Sequence, residues 1–262
     1  MFMKILFIGD IVGGAGRKAL REGIPKLVDR LKIDFVIANA ENAAGGFGIT
    51  RSVAEEIFSL GVDVLTSGNH IWDKKEAVLY IAEENRLLRP ANYPEGIPGH
   101  GSIIGNTTAG EKIAVLNISG RVFMNNAECP FKAAKREILK LREQTNIIIV
   151  DFHAEATSEK SAFGWFLDGE VSAVIGTHTH VQTADETILP KGTAFITDVG
   201  MTGPLNSIIG IKKEQIIEKF LTQMPARFET AKGVPILSAV VIDIDSIAGH
   251  ATNIQRLQIK FS

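Results

Sequence analysis

The stretch VSAVIGTHTH (171–180) is an apolar run of strand length that ends in two histidines. On extended backbone, side chains two residues apart point to the same side, so His178 and His180 should project together from a strand end. The chain has six histidines in all, and two of them close this segment. Such a pair fills an apolar core poorly and holds a metal ion well.

Four further segments repeat this arrangement, in which an apolar run predicts a buried strand and donor side chains follow it. The runs are KILFIGD (4–10), DFVIANAE (34–41), VDVLTSGNH (62–70) and NIIIVDFHAE (146–155). The donor side chains that end the five runs are Asp10, Glu41, Asn42, Asn69, His70, His153, His178 and His180. Because the carboxyl ends of parallel strands share one edge of a sheet, we expect these groups to meet there.

Segments of helix length separate these strands. The amphipathic stretches that predict helices are 16–31, 50–61, 73–84, 130–144 and 212–223. We expect Pro25 to disturb the first helix and Thr50 to cap the second. Asp73 and Glu76, three residues apart, predict a capping box at the start of the third.

Strands and helices alternate through the first two thirds of the chain, and the last third is mostly strands with glycine-containing turns. Alternation followed by consecutive strands predicts an α/β layered fold with mixed sheets. No linker, repeat or low-complexity segment interrupts the pattern, so we expect a single domain over residues 1–262.

Composition narrows the class of protein. Hydrophobic residues make up 45% and charged residues 22% of the 262 positions, which is ordinary for a globular protein. The net charge of −2 does not indicate the strongly basic surface that binds nucleic acid. The single cysteine, Cys129, excludes an internal disulfide and a cysteine-based zinc site. The start lacks a signal-peptide pattern, and no apolar run approaches the roughly 20 residues that span a bilayer. We therefore expect a cytoplasmic protein without membrane contact.

The eight donor groups contain no sulfur. Such a set of oxygen and nitrogen ligands suits Mn, Fe, Zn or Ni better than Ca or Mg alone. Seven or eight ligands exceed the three or four that a tetrahedral zinc takes, and they fit two metals bridged by one carboxylate. Two metals about 3.5–4 Å apart are the usual device for in-line displacement at phosphorus. The residues thus predict a phosphoester hydrolase that uses two metals.

The motifs GD (9–10), AEN (40–42), GNH (68–70), DFH (151–153) and GTHTH (176–180) resemble, in order, those of the calcineurin-like metallophosphoesterases. The chain is more similar still to their bacterial YmdB-like branch of 2′,3′-cyclic-nucleotide 2′-phosphodiesterases, through segments such as ENAAGG, GNHIWDKKE, DFHAEATSEK and TDVGMTGP. This resemblance covers nearly the whole chain. It implies a four-layer αββα sandwich of two mixed sheets, two metal ions, a phosphodiester or cyclic-nucleotide substrate and a homo-oligomer. Iron is the implied metal, with manganese or zinc as alternatives.

The resemblance also divides the ligands between two metals that share Glu41. Around the first metal it places Asp10, Glu41, Asn42 and His180. Around the second it places Glu41, Asn69, His153 and His178. His70 is then the extra imidazole, assigned to the phosphate and the leaving group because histidine exchanges protons near neutral pH. The nucleophile implied is a hydroxide held by the metals.

Two positions depart from the pattern of the wider superfamily. Val12 stands where a histidine is usual, and Glu41 stands where the bridging aspartate is usual. Loss of the histidine leaves the first metal one nitrogen short, and Asn42 is the nearest replacement.

Several alternatives stay open at this point. GAGRKA (14–19) fits the G-x-G-x-x-A fingerprint of dinucleotide-binding folds, although that interpretation gives the histidines no role. The same metal site could act on phosphomonoesters or amides, or could belong to a metal-binding regulator with incidental activity. Asp151 and Asp198 either orient a histidine or occupy capping and turn positions.

Overall fold

The computed structural model describes residues 2–261. Its strands are β1 (Phe2–Ile8), β2 (Asp10–Ile11), β3 (Phe35–Asn39), β4 (Val64–Thr66), β5 (Ser102–Asn106), β6 (Lys112–Ser119), β7 (Ile148–His153), β8 (Ala173–Thr177), β9 (Thr187–Ile188), β10 (Ala194–Ile196), β11 (Met201–Pro204), β12 (Pro235–Asp245) and β13 (Ala251–Lys260). Its helices are α1 (Gly13–Leu31), α2 (Arg51–Ser59), α3 (Lys75–Glu83), α4 (Pro130–Arg142), α5 (Thr157–Phe166) and α6 (Lys213–Thr222). Within this range no helix combines the length and the apolar character needed to cross a bilayer.

The strands form two mixed sheets. The seven-stranded sheet has the order β2-β11-β12-β1-β3-β4, with β13 paired to β12. In it, β1 runs parallel to β3 and antiparallel to β12. The six-stranded sheet has the order β5-β6-β7-β8-β10-β9, and its strands are parallel from β6 through β10. Helices α1 and α2 make the crossovers that the parallel pairs β1–β3 and β3–β4 require.

Three apolar cores separate four layers. Leu6 and Ile8 of β1 pack in the core that also contains the apolar face of α1. Ile5 and Phe7, which alternate with them, pack in a second core between the two sheets. On the six-stranded sheet, Val150 of β7 belongs to a third core beneath α4 and α5. The predicted αββα sandwich of two mixed sheets is therefore confirmed.

Helix α1 departs from its prediction, since it runs unbroken from Gly13 to Leu31 with Pro25 inside it. The ring of Pro25 lies on the exposed face of the helix, so it displaces no core contact. Residues 14–19 all lie within this helix, and they therefore form no phosphate-binding loop of the dinucleotide type. Thr50 does cap α2 as predicted, by accepting a hydrogen bond from the N–H of Val53.

The capping box predicted for α3 is wrong. The helix begins at Lys75, and its N-cap residue makes no hydrogen bond through its side chain. Asp73 instead accepts a hydrogen bond from His70 Nδ1 at 2.8 Å, and Glu76 accepts one from the backbone N–H of Arg51 at 3.1 Å. Asp73 and Glu76 therefore form hydrogen bonds with residues outside α3 rather than with its first turn. Asp73 thus contacts His70, one of the predicted donor residues.

Close backbone packing joins the strand ends. A Cβ atom on Gly9 would lie 1.8 Å from the carbonyl oxygen of Gly200, and one on Gly68 would lie 2.1 Å from the His153 ring. Neither distance is compatible with any side chain larger than hydrogen. The glycines directly before Asp10 and Asn69 therefore let the loops from different strands approach one another.

Candidate metal centre

The five strand ends meet at one edge of the sandwich, and all eight predicted donor residues lie there. They divide into two clusters. The first cluster consists of Asp10, Asn42 and His180. The second cluster consists of Glu41, Asn69, His153 and His178. His70 adjoins the second cluster, because its backbone N–H donates to Glu41 Oε2 at 3.0 Å.

One ring nitrogen, His153 Nε2, lies at the centre of the second cluster. Its neighbours are Glu41 Oε1 at 3.2 Å, Asn69 Oδ1 at 3.1 Å and His178 Nδ1 at 3.1 Å. The donor atoms of Glu41, His153 and His178 all lie within 4.8 Å of one another. The oxygens of Glu41 and Asn69 are acceptors, and each ring nitrogen carries at most one proton. The lone pairs on these atoms therefore outnumber the protons that could form hydrogen bonds between them. A metal ion satisfies such a convergence of lone pairs.

The first cluster contains a buried oxygen that lacks a partner. Asp10 Oδ1 accepts no hydrogen bond from residues 2–261, although Asp10 is fully buried. The nearest ring nitrogen is His180 Nε2 at 3.8 Å, which lies 3.3 Å from Asn42 Nδ2. Leaving a buried carboxylate oxygen without a partner is costly, and a bound cation would remove that cost. The donor set of this cluster therefore also fits a metal ion.

A chain of hydrogen bonds fixes the tautomer of His153. Its Nδ1 lies 2.9 Å from Thr177 Oγ1, and the Thr177 hydroxyl donates to Asp151 Oδ1 at 2.6 Å. Asn39 and Thr66 also donate to the Asp151 carboxylate, which is completely buried. Since Thr177 gives its proton to Asp151, its oxygen accepts the Nδ1–H of His153, and Nε2 is left as the nitrogen that can face a metal. Asp151 therefore orients His153, which decides between the two alternatives left open for it.

The other two histidines are held in the same way. His178 Nε2 lies 3.0 Å from Glu155 Oε2, and His180 Nδ1 donates to the carbonyl oxygen of Ile209 at 2.9 Å. Each outer nitrogen therefore carries the proton, and each inner nitrogen offers a lone pair. The sequence motifs gave no sign of Ile209, which lies in a loop. Glu155 could have been suspected, because it follows His153 by two residues.

The turn that carries His178 and His180 has a left-handed backbone at both histidines, with φ of 98° and 66°. Between them, Thr179 donates to Asp198 Oδ2 from its N–H at 3.1 Å and from its hydroxyl at 2.7 Å. The ammonium of Lys160, itself buried, lies 2.6 Å from the same oxygen. This ion pair holds a turn that would otherwise be strained. Asp198 thus orients two histidines through the residue between them.

Charge within the clusters favours a cation. Burial alone would raise the pKa of Glu41, but the neighbouring His153 outweighs it and lowers this pKa to about 2. Burial would likewise lower the pKa of His153, yet Glu41 and Asp10 raise it to about 9. Burial, followed by repulsion from His153, lowers the pKa of His178 to about 3. The second cluster thus combines the ionised carboxylate of Glu41, the neutral imidazole of His178 and the ring of His153, which lies beside negatively charged carboxylates. A metal site requires such negative charge and such unprotonated donor atoms.

A cavity of about 330 Å³ opens over both clusters. Its lining includes the donor residues Glu41, Asn42, His178 and His180, the imidazole of His70, and the apolar side chains of Val12, Phe47 and Ile209. The Phe47 ring meets the His70 ring edge to face, with centroids 5.1 Å apart. The side chain of His70 is therefore held between Phe47 and Asp73, beside the donor groups rather than among them.

The αββα sandwich and the donor residues at its strand ends define a protein of the metallophosphoesterase type. The family model of the YmdB-like protein matches residues 6–257, and the chain belongs to this family.

Curated and solved relatives agree with this assignment. The chain is 51% identical, over 98% of its length and 97% of the relative's, to the 2′,3′-cyclic-nucleotide 2′-phosphodiesterase of Bacillus subtilis (strain 168). A crystal structure of a hypothetical protein from Thermus thermophilus is 41% identical, with a TM-score of 0.92 over 98% of this chain and 99% of that one. A novel phosphatase from Mycoplasma pneumoniae is 36% identical, with a TM-score of 0.93 over 99% and 94%. The predicted family, fold and enzyme class are confirmed.

Proposed function

We propose that this chain is a metal-dependent phosphodiesterase that hydrolyses 2′,3′-cyclic nucleotides. The observation that carries the proposal is the excess of lone pairs around His153 Nε2 beside an unpartnered buried oxygen on Asp10. Similarity to the Bacillus subtilis phosphodiesterase over nearly the whole chain supports the class of substrate.

The two clusters would hold two metal ions. Iron is the metal that the resemblance implies, with manganese or zinc as alternatives, and oxygen and nitrogen donors suit all three. Glu41 would serve both clusters, because its Oε1 lies 3.2 Å from His153 Nε2 and 3.2 Å from Asn42 Nδ2. When bound, such a pair of ions acts as a Lewis acid that neutralises charge on the phosphoryl oxygens and makes water nucleophilic near neutral pH.

His70 supplies the proton in this proposal. Water forms the new bond to phosphorus and releases a proton to solvent, the P–O2′ bond of the cyclic diester breaks, and His70 protonates the departing O2′. His70 then regains a proton from solvent. Asp73 accepts the hydrogen bond of His70 Nδ1, so Nε2 is the nitrogen left to face the substrate. The backbone N–H of His70 meanwhile holds Glu41 Oε2, which ties the proton donor to the metal-binding carboxylate.

An assay with bis-p-nitrophenyl phosphate tests the class of reaction. The purified protein is assayed before and after chelation, and again after iron or manganese is added back. Turnover that chelation removes and metal restores is expected, followed by turnover of 2′,3′-cyclic nucleotides in excess of p-nitrophenyl phosphate. Faster turnover of the monoester would favour the phosphomonoesterase alternative. No turnover with any metal, in folded protein, would favour the regulator.

Replacement of His70 tests the division of roles. We expect His70→Ala to lower turnover about 10²- to 10⁴-fold, the usual contribution of a general acid, without loss of metal. Elemental analysis measures the metal content, and His250→Ala, which removes an exposed histidine elsewhere, is the matched control. Loss of metal from His70→Ala would show that His70 is a ligand.

The single domain, the cytoplasmic location and the homo-oligomer stay predictions. Light scattering coupled to size-exclusion chromatography measures the oligomeric state directly, and limited proteolysis measures the domain organisation.

A further inference from the structure

Phe123 combines two features that stability alone does not explain. Its side chain is 89% exposed, and its backbone is left-handed with φ of 62°. It is the third residue of a turn that the N–H of Met124 closes onto the carbonyl oxygen of Arg121 at 3.4 Å. A left-handed residue at the third position of a turn is ordinarily glycine or asparagine. Phenylalanine here is strained and contributes little burial, which is typical of a residue kept for contact with a ligand.

The loop that carries Phe123 is fixed at both ends. Where it leaves β6, the N–H of Gly120 donates to the carbonyl oxygen of His153 at 2.9 Å. Where it returns, the N–H of Glu128 donates to the carbonyl oxygen of Asn92 at 3.0 Å. The first of these bonds connects the loop directly to the strand end that supplies the central ligand of the second cluster.

The buried carboxylate of Glu159 also fixes the backbone of this loop. Glu159, near the start of α5, is only 7% exposed, and its oxygens accept the N–H groups of Arg121 and Val122 at 3.2 Å. Burial of a carboxylate is costly unless hydrogen bonds satisfy it. These two bonds fix the backbone just before Phe123, so the position of the exposed ring is built into the fold.

The Phe123 ring borders a second cavity, of about 260 Å³, beside the second cluster. Its lining residues are Asn69, Phe123, Met124, Asn125 and His178. Asn69 and His178 are donor residues of the second cluster, and His178 also lines the main cavity. A phosphoryl group held by the clusters would therefore lie at the junction of the two cavities, with an ester substituent in reach of Phe123.

We propose that Phe123 is the surface on which the base of the nucleotide substrate stacks. This inference rests on the proposed hydrolysis of nucleotides, and it makes Phe123 a specificity-determining contact. An aromatic ring stacks on any base, because every base has a π-face, and the interaction stabilises a bound base appreciably. The amide of Asn125, exposed on the same loop, offers a donor and an acceptor to the edge of that base.

The test compares two substrates of the metal-loaded enzyme, adenosine 2′,3′-cyclic phosphate and a methyl riboside 2′,3′-cyclic phosphate that lacks a base. Phe123→Ala should raise KM for the adenosine substrate about 5- to 150-fold, the effect of losing one stacked base. The value of kcat should change little, because stacking is present in both the ground state and the transition state. KM for the base-free substrate should stay at its wild-type value.

Three further variants separate the ring from the loop that carries it. Phe123→Gly keeps a left-handed backbone without strain and should lose affinity as Phe123→Ala does. Phe123→Trp keeps an aromatic face and should retain it. Phe2→Ala removes a ring that is 68% exposed at the start of β1, at the opposite end of that strand from Asp10, and should have no effect.

Two kinetic results would overturn the proposal. One is an equal rise of KM on both substrates, and the other is wild-type KM in Phe123→Gly, which would assign the effect to the backbone. Calorimetric binding of adenosine 3′-monophosphate to the same variants needs no turnover. It therefore distinguishes failure of the stacking contact, seen as unchanged affinity in Phe123→Ala, from failure of the proposed hydrolysis.

Discussion

The two clusters of the candidate site use the same kinds of donor atom but differ in what supports them. In the second cluster, His153 is backed by Thr177 and Asp151, both fully buried and both in strands of the six-stranded sheet. In the first, His180 is backed by the carbonyl oxygen of Ile209. Ile209 is 50% exposed in a loop, with a left-handed φ of 46° that is unusual for a β-branched residue.

The difference shows that the six-stranded sheet supports His153, the central residue of the second cluster, whereas a loop supports His180, the histidine of the first. The first cluster also lacks a nitrogen donor at Val12, the position where the wider superfamily has a histidine. Hydrogen bonds to the outer atoms of ligands set their basicity and orientation, so we expect the second cluster to bind its metal more tightly. Each of the following predictions tests this contrast.

Replacement of Glu41 should abolish the contrast, because this carboxylate serves both clusters. Glu41→Gln keeps the shape of the side chain and removes a charge that is present at neutral pH, where its pKa of about 2 keeps it ionised. We expect loss of both metals and a fall in turnover of at least about 10³-fold, since the metals contribute several kcal/mol. Elemental analysis and a diester assay measure the two effects. Retention of one metal would mean that Glu41 does not bridge.

Replacement of Asp151 should weaken the second cluster alone. In Asp151→Asn the amide can donate to Thr177, whose hydroxyl then turns to His153 and reverses the tautomer of that ring. We expect metal affinity at the second cluster to fall about 10- to 100-fold, while the first cluster keeps its affinity. The control is Asp63→Asn, since Asp63, just before β4, is partly buried and, like Asp151, accepts a hydrogen bond, in its case from the N–H of Val36. Equal weakening of both metals would contradict the contrast.

The effect of pH on stability and on metal affinity should be smaller than the effects of these two substitutions. It should also depend on the second cluster. In metal-free protein the pKa of His153 is raised from 6.5 to about 9, despite burial, by Glu41 and Asp10. Its proton therefore stabilises the folded chain fully below pH 6.5, and this stabilisation is lost as pH rises to 9. A metal competes with that proton, so metal affinity should rise over the same interval, by up to about tenfold per pH unit.

Calorimetric unfolding of the metal-free protein and metal titrations between about pH 6 and 9.5 would measure these two opposite slopes. His153→Gln should remove both. Stability of the metal-free protein that increases across this interval would show that the ring is not protonated between the carboxylates.

Much of the site could be predicted from sequence because each donor lies at or shortly after the end of a recognisable apolar run. Once the strands were located, the common edge of parallel strands was enough to bring Asp10 and His153 together. The supporting residues were less accessible. Ile209 contributes a backbone carbonyl, and every residue has one, so its side chain gives no signal. The spacing of Asp73 is typical of a helix cap, so the sequence did not indicate its hydrogen bond to His70.

The layers of the fold were similarly accessible, because alternating and continuous apolar runs depend on local sequence. The path of α1 through Pro25 was not, since it depends on which face of the helix meets water. Phe123 illustrates a different obstacle, because an isolated aromatic residue has no periodicity, and only the loop geometry reveals its exposure.

The pairing of β1 with β12 has a consequence for biosynthesis. β1 pairs with β12 along its whole length, from Phe2 opposite Asp245 to Ile8 opposite Ala239. On the ribosome, β1 must therefore wait for β12, which is made more than 200 residues later, and such long-range pairing is slow to form. Asp10 lies two residues after the end of β1, so the metal site should mature only after β12 has emerged. A nascent chain arrested before Pro235 should retain no metal, and metal loading should be a late event that follows translation.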